Sequence, residues 1–302
     1  MSVTVVRPGM LTTVQDRGRY GLQHLGVPAA GPMDWWCHEA ANRLVGNDPN
    51  AAVLEVTLIG PELELTRSAT AAVIGADFEL SLSDTPIPMN QAFRAGAGQR
   101  LTFGSRRAGA RAYVAFAGGV AVAPVMGSRA THLKGALGGL EGRALRRGDV
   151  IPLGEPAADV PPIAEAIHVP HLPLRQPAVV RAIEGPESPG DRFWTSTFTV
   201  SPQSDRMGYR LDGAPVGAPG DQVSVAVAMG TVQVTPSGTC VLLMADRATS
   251  GGYARAATVI TADLPIAGQL APGDTLRFSR VTIDAARNAL DEMEAQLPEG
   301  RR

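Results

Sequence analysis

Ala71-Ala72-Val73-Ile74-Gly75-Ala76-Asp77-Phe78-Glu79-Leu80-Ser81-Leu82 sets the fold class of this chain. It holds two strand-sized apolar runs, Ala71 to Ile74 and Phe78 to Leu82, parted by glycine and aspartate. The same pattern recurs at Val53 to Thr57, Leu63 to Leu65, Arg100 to Phe103 and Arg111 to Phe116. The second half repeats it at Val179 to Ile183, Phe198 to Val200, Thr231 to Val234, Cys240 to Met244, Thr258 to Ile260 and Thr275 to Phe278. Short strands without alternating long helices predict a mainly β protein of antiparallel barrels or sandwiches, and argue against a doubly wound sheet.

Two segments read as helix. From Asp34 to Val45, Cys37, Ala40, Ala41 and Leu44 recur at helical spacing, with Asp34 placed to cap the start and Gly46 to stop it. Near the carboxyl end Ile283, Ala286, Leu290, Met293 and Leu297 form a stripe ended by Pro298, which reads as a docking helix. At 302 residues the chain is long for one core. Prolines 156, 161, 162, 170, 173 and 177 mark a connector. The expected division is therefore 1–155, a proline-rich connector 156–177, and 178–302 carrying the terminal helix. Ala95 to Phe103 and Ala271 to Phe278 share a glycine turn feeding an apolar strand, a weak echo between halves.

Composition narrows the function. Net charge is −2 without a long single-sign run, so the footprint of a nucleic-acid binder is missing; Arg143, Arg146 and Arg147 read as a solvated turn. No apolar stretch approaches the ~20 residues of a membrane span. Met1 to Arg7 shows no basic leader or signal core, so a cytoplasmic protein is expected. Lys134 is the only lysine. A phosphate-cradling G-x-x-x-x-G-K-[ST] loop cannot be written here, nor can a biotin-bearing lysine flanked by methionines. ATP or biotin chemistry, if used, is expected to come from another chain.

Site-like chemistry concentrates in two polar, glycine-rich blocks. The first contains Gln15, Asp16 and Arg19 with Gly18 and Gly21; the second combines Asp205 and Arg206 with Asp246, Thr249, Gly251, Gly252 and Tyr253. Arginine presents a fork to carboxylate or phosphate, glutamine both donates and accepts, and consecutive small residues let backbone N–H groups converge on an anionic oxygen. The competing reading of each Asp-Arg pair is a pin for its own turn. Nucleophile and metal chemistry fare poorly. Cys37 and His38 are helix neighbours that face different ways, His168 and His171 have no clear third ligand, and no G-x-S-x-G elbow occurs. No metal site is expected.

Laid out together, these residues resemble the family of biotin-dependent carboxyltransferase-type proteins. It includes allophanate hydrolase subunit 2 proteins, the carboxyltransferase part of urea carboxylase, KipA and the C subunit of ATP-dependent 5-oxoprolinase. The resemblance rests on Thr12 to Asp16 with Gly18-Arg19, Gly26-Val27-Pro28 with Met33-Asp34, Ala41 to Asn47, Gly75-Ala76-Asp77, Gly127-Ser128-Arg129, Ser204 to Gly208, Gly230 to Val234, and Leu243 to Arg247 with Gly251-Gly252-Tyr253. It implies two cyclophilin-like β-barrel domains with a few short helices. It also implies a KipI-like or allophanate hydrolase subunit 1-like partner, with a third LamB/YcsF-like subunit as a further candidate, and a site near an interface. A chain of this length resembles the 5-oxoprolinase C subunit, part of an enzyme that would open 5-oxoproline (pyroglutamate) to L-glutamate with ATP supplied by the complex. The alternatives are a biotin-dependent carboxyltransferase acting on a urea- or allophanate-type amide, and a non-catalytic KipA-like regulator binding a KipI-like inhibitor of a histidine kinase.

Under the 5-oxoprolinase reading Arg19 or Arg206 holds anionic groups, Asp16, Asp205 or Asp246 serves as base or orienter, and Gln15, Gln233, Thr249, Tyr253 and the Gly251-Gly252 backbone contact substrate. Arg206→Ala is then expected to cripple the complex without unfolding the subunit. Ala248 departs from the family, where glutamine is common, and removes one polar contact.

Overall fold

The computed structural model describes residues 1–157, 166–217 and 222–299. The chain is mainly β and divides into two compact units, Met1–Arg19, Ala30–Pro173 and Gln296–Arg302 forming one, Tyr20–Ala29 and Leu174–Ala295 the other. Of the expected connector, Pro161 and Pro162 lie outside the described residues.

The first unit is built on a branched nine-stranded sheet, a half-barrel. Its path runs Leu11–Gln15, Val53–Thr57, Arg100–Phe116, Glu62–Leu65, Ser2–Arg7, Val150–Pro152. Ala69–Leu82 branches from Arg100–Phe116 and carries Thr85–Ile87 and Ala92–Ala95. The two short runs of the opening stretch are thus one 14-residue strand, and Arg100 to Phe103 with Arg111 to Phe116 are one 17-residue strand. Gly75 explains the difference. Its φ is +120°, and a Cβ there would stand 2.5 Å from the Arg111 carbonyl oxygen. The ladder slips in register between Gly75 and Asp77, between Asp77 and Phe78, and between Phe78 and Leu80. Glycine here bends a paired strand through bulges without ending it.

Val3, Val14, Leu54, Val73, Phe78, Phe103, Val114 and Phe116 meet in the core of this sheet. The helix Trp35–Leu44 lies against its two longest strands and buries Trp36, Cys37, Ala40, Ala41 and Leu44, the face its spacing predicts. Asp34 caps it, Oδ1 accepting from the Cys37 N–H at 2.9 Å, and Gly46 ends it in a left-handed conformation.

The second unit is a closed barrel. Its order is Ala178–Glu184, Ala254–Val259, Thr231–Val234, Cys240–Leu243, Gly208–Asp212, Phe198–Val200, Thr275–Arg280, and back to Ala178–Glu184. The closing pair is parallel, Ala178 opposite Leu276 through Ala182 opposite Arg280. Closure leaves no edge strand to pair with another chain. Phe193 stacks on Phe278 at 4.7 Å and packs beside Phe198, plugging the barrel with aromatic area. A two-stranded ribbon, Val225–Ala226 with Ser250–Gly251, stands apart from the barrel ladder. The carboxyl-terminal helix is Ile283–Glu294, capped by Thr282. Its buried stripe is Ala289 and Met293, and Ile283, expected at the head of that stripe, is exposed. No helix among the described residues is long and apolar enough to cross a membrane.

Candidate functional site

In the first unit, Gln15 ends the strand Leu11–Gln15, and the turn after it delivers Asp16 and Arg19 inward. They do not pair with each other. Asp16 Oδ1 accepts from Ser128 Oγ at 2.6 Å and from the Gly18 N–H at 2.9 Å, while Oδ2 accepts from the Arg129 N–H. Arg19 donates Nε to the Val125 carbonyl at 3.0 Å and Nη2 to that of Ala130 at 2.9 Å. A carboxylate with three donors and a guanidinium laid across carbonyls are structural clamps, both holding one loop, 125–130. Gly138 approaches Arg19 so closely that a Cβ would lie 2.6 Å from Nη2. The clamped loops line a groove of about 450 Å³ bounded by Val122, Val125, Leu137, Leu140 and Pro152, with Gly138, Gly139 and Gly142 in its wall. Asp16 and Arg19 therefore shape a groove without lining it. Gln15 donates Nε2 to Thr13 Oγ1 and to the Thr131 carbonyl, and its buried Oε1 has no hydrogen-bond partner among the described residues.

In the second unit the structure joins Arg206 to Asp246. Nε meets Oδ2 at 3.1 Å and Nη2 meets Oδ1 at 3.0 Å, a bidentate pair with side chains 3% and 4% exposed. The Asp246 N–H also donates to the Arg206 carbonyl at 2.8 Å. Asp205 stays apart and exposed, its carboxylate accepting from the Met207 and Gly208 N–H groups in a turn. Gln233 is buried in the barrel strand Thr231–Val234, its Nε2 without a hydrogen-bond partner among the described residues and pressed on Gly251, where a Cβ would come within 2.5 Å. Gly251 thus lets an amide side chain abut the ribbon. The Gly252 carbonyl accepts from the Gln222 N–H, the Thr249 carbonyl accepts from the Val227 N–H, and Tyr253 is about half exposed.

Arg247, absent from the sequence-derived candidates, completes this arrangement. Its Nε donates to the Val227 carbonyl at 3.2 Å and Nη1 reaches the Met244 carbonyl at 3.5 Å. Burial lowers its pKa, with Tyr20 opposing, and among the described residues no carboxylate pairs with it. The ribbon whose Gly251 covers Gln233 continues to Val227 at Arg247. The Gln233 amide and the Arg247 guanidinium each have donor capacity beyond these contacts, and among the described residues no carboxylate pairs with Arg247, so each suits an anionic oxygen. The available hint was arithmetic. Once Arg206 takes Asp246, the neighbouring Arg247 is left without its obvious partner.

Sequence reasoning set His38 aside with Cys37 as a helix neighbour facing another way, and the structure gives it a role in stability. Its ring is fully buried, 6.3 Å edge-on from the Tyr113 ring, and neither nitrogen closes a well-formed hydrogen bond among the described residues. Burial lowers its pKa to about 4, only partly offset by the Asp16 charge and the Gln15 backbone. The unfolded chain therefore binds a proton at this position below about pH 6.5 and the folded chain only below about 4. Stability should fall as pH drops through that window, by on the order of 3 kcal/mol for this group. Urea unfolding at pH 7 and pH 4.5 checks it: His38→Gln should flatten the decline, and an equally steep decline in the variant would assign it elsewhere.

Comparisons with known proteins follow the same lines as the fold. A profile of the carboxyltransferase domain, subdomains A and B, matches residues 25–280. The chain is 39% identical to the 5-oxoprolinase C subunit of Escherichia coli, over 96% of this chain and 94% of that protein. It is 34% identical to the 5-oxoprolinase C subunit of Haemophilus influenzae over the same shares. Among solved structures, Kluyveromyces lactis urea carboxylase superposes with a TM-score of 0.89 at 30% identity, covering 98% of this chain and 29% of that one. TTHA0988 superposes with a TM-score of 0.82 at 36% identity, covering 92% of this chain and 55% of that one. This chain thus spans most of the two curated subunits but only part of each solved polypeptide. It belongs to the carboxyltransferase domain family, subdomains A and B.

Proposed function

We propose that this chain is the C subunit of a 5-oxoprolinase, a cytoplasmic complex that opens 5-oxoproline to L-glutamate with ATP. The observation that carries the reading is collinearity. The chain matches two proteins of that name over 94% of their length, whereas it spans 18% of the urea amidolyase of Lachancea kluyveri. Partners of the KipI and LamB/YcsF types complete the complex. TTHA0988 carries this fold in little more than half of its chain, so there it is joined to further sequence.

The residues suit the chemistry. 5-Oxoproline presents a carboxylate and an unstrained lactam, a poor electrophile until its oxygen is phosphorylated. Arg247 takes the carboxylate, and the free Gln233 Nε2 donates to oxygen on which negative charge develops. With Lys134 as its single lysine, the chain leaves the nucleotide phosphates to a partner. The test is exchange: this chain replaces the C subunit in the Escherichia coli enzyme, and glutamate release from 5-oxoproline is followed with and without ATP. ATP-dependent turnover insensitive to avidin is expected. Avidin-sensitive carboxylation of urea would establish the carboxyltransferase reading instead, and binding of a KipI-like protein without turnover the regulatory one.

A further inference from the structure

Three unlike ligand groups converge beneath the first helix of the first unit. Asp34 caps that helix, Cys37 lies one turn further on, and His171 comes from 134 residues away. His171 Nε2 lies 2.7 Å from Asp34 Oδ2 and 3.7 Å from Cys37 Sγ. All three ligand atoms fall within 4.8 Å of one another, and all three side chains are buried. Trp36 packs edge-on to the His171 ring at 6.0 Å, walling one side.

The arrangement is not a nucleophilic triad. There the acid would hold Nδ1 and the thiol would face Nε2. Here the carboxylate and the thiol both address Nε2, while Nδ1 has no hydrogen-bond partner among the described residues. One ring nitrogen shared by an oxygen and a sulfur is the geometry of ligands around a common centre. With zinc-type bond lengths of about 2.0–2.3 Å, tetrahedral ligands stand about 3.3 Å apart for nitrogen to oxygen and about 3.6 Å apart for nitrogen to sulfur. The sulfur is already at that separation, and opening the Asp34–His171 contact by about 0.6 Å supplies the other.

We propose that Asp34 Oδ2, Cys37 Sγ and His171 Nε2 form a binding site for one zinc-type divalent ion, with water or a small ligand in the fourth position. Thiolate, imidazole and carboxylate together are borderline donors suited to zinc or cobalt, and a hard magnesium or calcium ion would decline the sulfur. Binding removes the thiol proton, and the proton lying between Nε2 and Asp34 leaves Nε2 so that its lone pair faces the metal. Asp34 keeps its cap through Oδ1, because only Oδ2 is used. The ion would tie the segment around His171 to the helix and so stabilise the first unit without touching the residues assigned to substrate.

Cobalt titration of this 302-residue chain tests this without any substitution. One equivalent of Co²⁺ should bind, with a thiolate-to-cobalt charge-transfer band in the near ultraviolet, and Zn²⁺ should displace it and raise the thermal midpoint. Cys37→Ser should remove the band and weaken cobalt binding at least tenfold, and His171→Ala should weaken it similarly. Cys240→Ser, at the other buried cysteine, should change nothing. Absence of the band in the unaltered chain would overturn the proposal. So would a band that survives Cys37→Ser or disappears in Cys240→Ser.

Discussion

Arg206→Ala is expected to cost the protein about 3–5 kcal/mol of stability, enough to deplete the folded form at ordinary temperature. Arg206 and Asp246 form a bidentate pair excluded from water, and truncating the arginine strands a carboxylate whose hydration has already been given up. This revises the expectation that the substitution would silence the complex while sparing the fold. Joint replacement, Arg206→Met with Asp246→Leu, removes both charges and should recover most of the loss. Urea midpoints of the single and double variants decide the matter. A single variant within about 1 kcal/mol of the parent would show that the pair is hydrated and free to act on a ligand.

Arg247→Ala should behave in the opposite way. Its guanidinium rests on two carbonyl oxygens and pairs with no carboxylate among the described residues, so its removal strands no buried charge. Folding should be nearly unchanged. In the reconstituted enzyme, loss of charge-assisted hydrogen bonds to substrate, about 1.5–3 kcal/mol, should lower kcat/KM for 5-oxoproline by roughly ten- to a hundredfold. Arg247→Lys should restore only part of it, because an ammonium replaces a fork with a point charge. Unaltered kcat/KM in the alanine variant would remove Arg247 from the site.

These contrasting outcomes show what could and could not be read in the residues. Strand type and position were legible because Val, Leu, Ile and Phe cluster in short runs. Phe198–Val200 and Thr231–Val234 match their predicted bounds, and the helix after Asp34 begins and ends where its cap and Gly46 require. Continuity was not legible, because Gly75 bends a paired strand and ends none. Barrel closure was hidden too, since Ala178 and Leu276 pair across nearly a hundred residues with no local signal.

At the candidate site the sequence displayed the right residue types but not their partners. Asp-Arg dipeptides look alike on paper. In space Asp16 and Arg19 clamp one loop, Arg206 finds Asp246 forty residues away, and Asp205 closes its own turn. The residue left over, Arg247, is informative because the others are satisfied. Cys37 and His171 were each visible, but only the fold places them 3.7 Å apart.

Turnover by a defined mixture bears most directly on whether this chain works as a 5-oxoprolinase component. The partner proteins of the Escherichia coli enzyme, purified without their own C subunit, are supplied with 5-oxoproline and ATP, and glutamate and ADP are measured as this chain is added. Stoichiometric production of both products is expected only when this chain is present, unaffected by avidin. Undiminished glutamate production without the chain, or none with it while the Escherichia coli C subunit restores activity, would contradict that role.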